Sequence, residues 1–360
     1  MCRRFFVILL LLVSAVPAVA ARRRATTPRD AYPPCSMIIG TPAVTFTRNE
    51  GLTLASSTAP RRPIAHTYGL AAMIDEPHTL VALHDDDLLI SKDDGCSWRV
   101  ETTIEGWDFP PQLTPARGGR VYVWSENRSF LVRYDARGAA KLKQPVDFIG
   151  LAVDANNADR LRAGGTDGSL WESVDAGESW NPLGRLATSV MVYRFTFDPQ
   201  NLDHIVAGTV SDGAFVTRDA GRNWTKAAGI ERGNVFHLVF SDANRVWAMG
   251  IDLKTGGKHI YASDDGGESY RIVVTEEAGV KLINGPTMAA HPANRDVLYF
   301  VFGTHVFNYG TDLFRYDDAT RSLTMTHNHH DDVNAITFSR HDPSVMYLGV
   351  EVVRGGPDEQ

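Results

Sequence analysis

Ser173-Val174-Asp175-Ala176-Gly177-Glu178-Ser179-Trp180 is the stretch that decides the fold, because the chain repeats it. Ser91-Lys92-Asp93-Asp94-Gly95-Cys96-Ser97-Trp98, Thr217-Arg218-Asp219-Ala220-Gly221-Arg222-Asn223-Trp224 and Ser263-Asp264-Asp265-Gly266-Gly267-Glu268-Ser269-Tyr270 are further copies. The chemistry is that of a hairpin corner. A short Asp carboxylate accepts hydrogen bonds from the N–H groups of its own turn. Glycine two residues later takes positive φ without steric cost. The leading Ser or Thr adds a hydroxyl across the turn, and the closing aromatic ring opens the outgoing strand. The structural roles therefore fall to Ser91, Asp93, Gly95 and Trp98; to Ser173, Asp175, Gly177 and Trp180; to Thr217, Asp219, Gly221 and Trp224; and to Ser263, Asp265, Gly267 and Tyr270.

The spacing is regular. Asp175 and Asp219 are 44 residues apart, and Asp219 and Asp265 are 46 apart. Between Asp93 and Asp175 lie about two periods, with Tyr134-Asp135-Ala136-Arg137-Gly138 as a decayed copy between them; Tyr316-Asp317-Asp318 reads as another. Thr47-Arg48-Asn49-Glu50-Gly51-Leu52-Thr53-Leu54 keeps the pattern with Asn for Asp, 44 residues before Asp93. A strand-rich repeat of this length is the mark of propeller blades.

With these four corners the chain resembles the Asp-box, or bacterial neuraminidase repeat, class of β-propellers, which includes sialidases, xyloglucanases, sortilin-type receptors and photosystem II assembly factors. Turn-forming links such as Asp198-Pro199-Gln200-Asn201 and His291-Pro292-Ala293-Asn294 bring it nearest the sortilin and assembly-factor types. The expected fold class is all-β: a single β-propeller of seven four-stranded blades, with six or eight as the open alternatives. The expected blades are Thr67–Asp108, Phe109–Asp147, Phe148–Val190, Met191–Gly233, Asn234–Val280 and Lys281–Asn328. A last blade joins C-terminal strands Ala335–Ser339 and Val345–Val350 to N-terminal strands Ala43–Thr47 and Leu52–Ser56. Joining the two chain ends in one blade removes free sheet edges.

The domain reading is a signal peptide over 1–20, a flexible leader over 21–36, the propeller over 37–353 and a tail over 354–360. Arg3 and Arg4, the apolar run Phe5 to Val13 and the Ala18-Val19-Ala20 site have the order of a secretory signal. The expected location is therefore secreted or periplasmic. Cys35 and Cys96 are the two cysteines left after the signal peptide, and are read as a disulfide or as two separate thiols. A formal net charge of −7, more acidic still once the signal peptide with Arg3 and Arg4 is gone, makes nucleic acid and anionic membranes poor candidates as partners.

The corner carboxylates are spent on turns, so function is expected on the opposite face. Asp108, Asp212 and Glu231 are the acid–base candidates there, with Trp107 as a sugar-stacking platform, since a glycosidase needs two carboxyl groups across a bound sugar. His327, His329, His330, Asp331 and Asp332 form a polar loop entering the last blade and are candidate ligand-binding residues. Their spacing fits no standard metal site, so neither metal nor cofactor is expected. The resemblance to sialidases implies an Arg-Ile-Pro motif ahead of the first corner, where this chain has Arg61-Arg62-Pro63-Ile64 instead. There is no phosphate loop and no Gly-x-Ser-x-Gly elbow. The reading is an exported, non-catalytic monomer binding a protein or carbohydrate. The alternatives are a glycoside hydrolase, sialidase-like or otherwise, and an assembly factor for an envelope complex.

Overall fold

The computed structural model describes residues 35–353 apart from 42, 59–63, 108–110, 127, 277–286, 303–310 and 329–330. The signal and leader readings, Asp108, His329 and His330 lie outside these residues. Among them there is no α-helix; the chain is a single all-β propeller.

Five antiparallel four-stranded blades follow one another in chain order. Blade I is Pro111–Ala116, Arg120–Ser125, Leu131–Asp135 and Gly138–Lys141. Blade II is Phe148–Val153, Leu161–Gly165, Ser169–Ser173 and Asn181–Arg185. Blade III is Val192–Asp198, Asn201–Thr209, Ala214–Thr217 and Thr225–Lys226. Blade IV is Gly233–Phe240, Val246–Asp252, Lys258–Ser263 and Arg271–Thr275; blade V is Met288–Ala290, Val297–Phe302, Thr311–Asp317 and Ser322–Asn328.

The expectation of seven separate blades is corrected here. The other long strands form one seven-stranded sheet in the order Val44–Thr47, Met346–Val353, Ile64–Ala72, Leu80–His84, Asp87–Ser91, Arg99–Thr103, with Asp331–Phe338 also paired to Met346–Val353. The fusion has a local cause. Ile64–Ala72 and Met346–Val353 both run past their own partners, and their overhanging backbone groups pair with each other as Glu351↔His66, Val352↔Ala65 and Val353↔Ile64. The chain ends do meet: Val44–Thr47 pairs with Met346–Gly349. Leu52–Ser56, expected as a strand, is not one. Asn49 holds the Thr53 N–H at 2.9 Å and keeps the chain in its corner. Only Ala55 bonds back, to Phe46 O, before Ser56–Ser57 pairs in parallel with Met37–Ile38.

The quoted corners share one bonding pattern. Ser173 Oγ donates to Asp175 Oδ1 at 2.8 Å and accepts from the Gly177 N–H at 2.8 Å; the Ser179 N–H and hydroxyl then take both oxygens of Asp175, at 2.9 and 2.5 Å. The pattern recurs around Asp93, Asp219 and Asp265, and around Asn49, where Thr47 supplies the hydroxyl. The closing glycines all have positive φ, from 81° at Gly95 to 99° at Gly267. The Ser179 hydroxyl and N–H hold Asp175 below the ordinary carboxylate range, and the Asn223 N–H and amide pull Asp219 down to about 2. Asp135 is not a corner. It closes a tight hairpin on Gly138 and binds Arg133 at 3.2 Å. Nor does the Tyr316-Asp317-Asp318 segment repeat the pattern: the Asp318 carboxylate receives Arg245 at 2.7 Å.

The core is divided into clusters that lie between neighbouring sheets. Trp247, Leu298, Phe300 and Phe314 pack between blades IV and V; Tyr122, Leu131, Phe148 and Leu161 pack between blades I and II. A fully buried ring such as that of Trp247 stabilises by about 2–3 kcal/mol. Among the corner aromatics Trp98 is buried at 6% exposure, its Nε1–H donating to Gly95 O at 3.0 Å, whereas Trp180 and Trp224 are only half-buried.

Cys35 and Cys96 are joined in a disulfide, 61 residues apart in sequence. Around it the N-terminal segment is laced to the corner, Ile39 N–H to Cys96 O and Trp98 N–H to Ile39 O, each at 2.9 Å.

Truncating the buried ring in Trp98→Ala costs about 3–5 kcal/mol, and Trp224→Ala costs less, as denaturant melts of the two variants will show. The paired Cys35→Ser and Cys96→Ser change costs about 4 kcal/mol from the loop length alone, given intact secondary structure by circular dichroism.

Candidate functional site

The corners connect third and fourth strands, so the second-to-third loops and the links into each first strand share the other face. That face is marked by a recurring irregularity. The ladder of the first strand slips between Thr67 and Gly69, Phe148 and Gly150, Val192 and Arg194, Val235 and His237, and Val333 and Ala335. Each slip inserts one residue: Tyr68, Ile149, Tyr193, Phe236 or Asn334. Bulges of this kind re-aim side chains and are common beside sites.

The fullest cluster surrounds Tyr68. His66 stacks on its ring at 5.2 Å, and the Trp107 edge meets it at 5.2 Å. His66 Nδ1 lies 3.3 Å from Glu351 Oε2, directly across the fused ladder. The His66 N–H donates to Asp85 Oδ1 at 3.3 Å, and the Asp85 N–H returns a bond to His66 O at 2.9 Å. Burial, then Asp85, Glu351 and Asp86, push the Tyr68 hydroxyl's pKa up. Burial also pushes the His84 imidazole down, against the pull of Asp85. The cluster is thus aromatic and acidic, with neutral histidine favoured at His84. Trp107 itself donates Nε1–H to Ile104 O at 3.1 Å and is half-buried, packed against the cluster that holds Leu83, Leu88 and Ile104.

The structure brings two acid–base candidates around one cation. Asp212 is ion-paired to Lys226, and its N–H donates to Thr209 Oγ1 at 2.9 Å. Glu231 lies on the next link. The Gly229 N–H, its own N–H and then Lys226 hold its carboxyl below the ordinary range. A glycosidase acid needs a raised value; Glu231 has the opposite.

The His-rich segment is not a loop as far as it is described. His327 ends the strand Ser322–Asn328, and Asp332 belongs to Asp331–Phe338. His327 Nδ1 sits 2.5 Å from the buried Asp312 carboxylate, its cross-strand partner, and Thr311 Oγ1 donates to Asp332 at 3.1 Å. Among the described residues no group of three or more His, Cys, Asp or Glu could hold a metal ion.

Sequence reasoning missed His66, Tyr68, Glu351 and a second polar group. Arg194, the residue after the blade III bulge, reaches Glu126 of blade I at 2.6 Å. Burial and then Arg194 hold His237 down at about 3, so this imidazole is neutral. Aligning the first strands with one another would have been the signal for His66, Tyr68, Arg194 and His237.

No family model matches the chain. It is 41% identical over 339 residues to the dispase autolysis-inducing protein of Streptomyces mobaraensis, across 89% of this chain and 90% of that one. The chain belongs to that protein's family. Among solved structures, the GH74 xyloglucanase from Xanthomonas campestris superposes with a TM-score of 0.60 at 15% identity, over 79% of this chain and 51% of the enzyme's. The chain thus spans about half of the xyloglucanase. YCF48 from Cyanidioschyzon merolae superposes with a TM-score of 0.58 at 12% identity, over 81% of this chain and 97% of that one. Identities this low place the family among β-propellers and go no further.

Lys226→Ala will raise the Glu231 carboxyl toward its ordinary value, read by NMR titration. It will change stability by no more than about 1 kcal/mol, because the Lys226 and Asp212 side chains are 39% and 42% exposed.

Proposed function

We propose that this chain is an exported, non-catalytic propeller that binds a protein, and that the partner is an extracellular protease whose self-digestion it promotes. One observation carries the reading: similarity along nearly the whole length to a protein named for inducing dispase autolysis. Autolysis requires a protease as the acted-on partner. The electrostatics agree with binding rather than turnover, since Lys226 is ion-paired to Asp212 and helps hold the Glu231 carboxyl below its ordinary range, away from an acid's working range. The disulfide supports an oxidising compartment and hence the export suggested by the N-terminal sequence. We place the corners in the Asp-box class, because the hydroxyl–carboxylate–glycine relay is the chemistry that motif calls for. The bulged face, with Tyr68, Trp107 and the Asp85 loop, is the binding face in this reading.

The test uses the purified chain with dispase. Binding is measured with the protease inhibited, and the lifetime of intact protease is followed by electrophoresis with inhibitor absent. The expected result is a complex and a shortened protease lifetime, with no turnover of fluorogenic glycosides. An unchanged protease lifetime with no complex sinks the proposal. So does glycoside turnover that Asp212→Asn abolishes at unchanged melting temperature.

A further inference from the structure

Neighbouring blades are latched by donors that reach the next corner's backbone. Tyr122 Oη of blade I donates to Ala176 O at 3.2 Å, and Arg133 Nη1 reaches the same oxygen at 3.2 Å. Further round, His204 Nε2 of blade III lies 2.7 Å from Gly266 O, and Arg218 Nη2 donates to Asp265 O at 2.7 Å.

The joint where the ring closes is built differently. Tyr347 lies on Met346–Val353, the strand corresponding to those of Tyr122 and His204, and is 1% exposed. Its Oη is buried and has no hydrogen-bond partner. Opposite it is Asp94, in the corner position that Ala176, Ala220 and Gly266 fill elsewhere, with the same positive φ. Alanine would make this turn. The chain instead buries a carboxyl there, 5% exposed.

Asp94 is met by His78 Nδ1 at 2.9 and 3.0 Å, and the His78 ring stacks on His341 at 5.0 Å. His78 is on the turn after Ile64–Ala72, and His341 is on the turn before Met346–Val353, so the stack crosses the seam. Other charged groups face this contact. Glu76 shares the first turn, Arg340 and Asp342 the second, and Arg48 follows Val44–Thr47. Asp93 is adjacent, its carboxylate already committed to Ser91 and Ser97.

We propose that Asp94, His78 and His341 form a proton-operated joint: holding a proton it closes the seam between the first and last parts of the ring, and losing it loosens that seam alone. Burial lifts the Asp94 carboxyl to about 7, far above its ordinary value. The folded seam therefore binds a proton that the unfolded chain releases in the ordinary carboxylate range. Its contribution is full below that range and is lost as pH rises through about 7. Above it, a buried carboxylate is left against His78 Nδ1, beside a phenol that has no partner in the corner backbone. Of the other described corners, the Asn49 one alone has a titratable group in this position, and there Glu50 is exposed and ion-paired to Arg315.

Hydrogen exchange read by mass spectrometry, at about pH 6 and about pH 8.5 and corrected for intrinsic rates, tests the joint. Wild type will lose protection on the order of tenfold in Val44–Thr47, Met346–Val353 and Leu80–His84 at the higher pH. Asn201–Thr209 and Val246–Asp252 will not change. Asp94→Ala, with the residue of two other corners, will abolish the difference, and the shape-preserving Asp94→Asn will do the same should the alanine variant fold poorly. A pH-independent seam in wild type overturns the proposal, as does a response that survives in the folded variants.

Discussion

A hydroxyl that donates to a carboxylate two residues on, and accepts from a glycine N–H four residues on, is the contact on which this propeller depends. Ser173, Asp175 and Gly177 show it in its full form. The relay satisfies the turn's backbone locally, so the corner needs nothing from neighbouring sheets to hold its shape. It also aims the following strand, and with it the aromatic ring that each corner delivers against the core. Because the corner is self-contained, its outer carbonyls stay free to receive donors from the preceding sheet, and the ring is assembled through those carbonyls.

Local chemistry is why so much of the fold was legible. The four strong corners, and the weaker one at Asn49, are all made of residues within eight positions of one another. Asp135 misled because it has a Gly close behind it, but Arg133 stands where the motif has its hydroxyl and the Gly comes three residues on rather than two. The relay cannot form without that hydroxyl, and a two-residue hairpin results. The Leu52–Ser56 strand failed for a related reason, because the Asn49 carbonyl competes for the backbone that a strand would have used.

The bulged face was less legible because bulges are a property of paired strands. Nothing in the Thr67-Tyr68-Gly69 triplet announces a slip until Leu80–His84 lies beside it. The acidic candidates were chosen from loop position, but their surroundings come from elsewhere: Lys226, on the fourth strand of blade III, is ion-paired to Asp212, and the Gly229 N–H leads the groups that hold Glu231 down. His327 read as a loop ligand and proved to be half of a cross-strand pair with Asp312. Asp94 was quoted in the motif from the outset; what sets it apart is the packing of Tyr347 and the turn that presents His341.

The bond between Cys35 and Cys96 has a consequence for survival among proteases. A single cut anywhere between those residues leaves both fragments covalently joined, because each retains one of the sulfurs. Val44–Thr47 is paired with Met346–Gly349, so a nicked loop in this region also remains bracketed by a strand sewn into the far end of the chain. Fraying from either fragment would have to break the ladder and the cross-link together. Such a clasp turns an otherwise terminal cleavage into a scar.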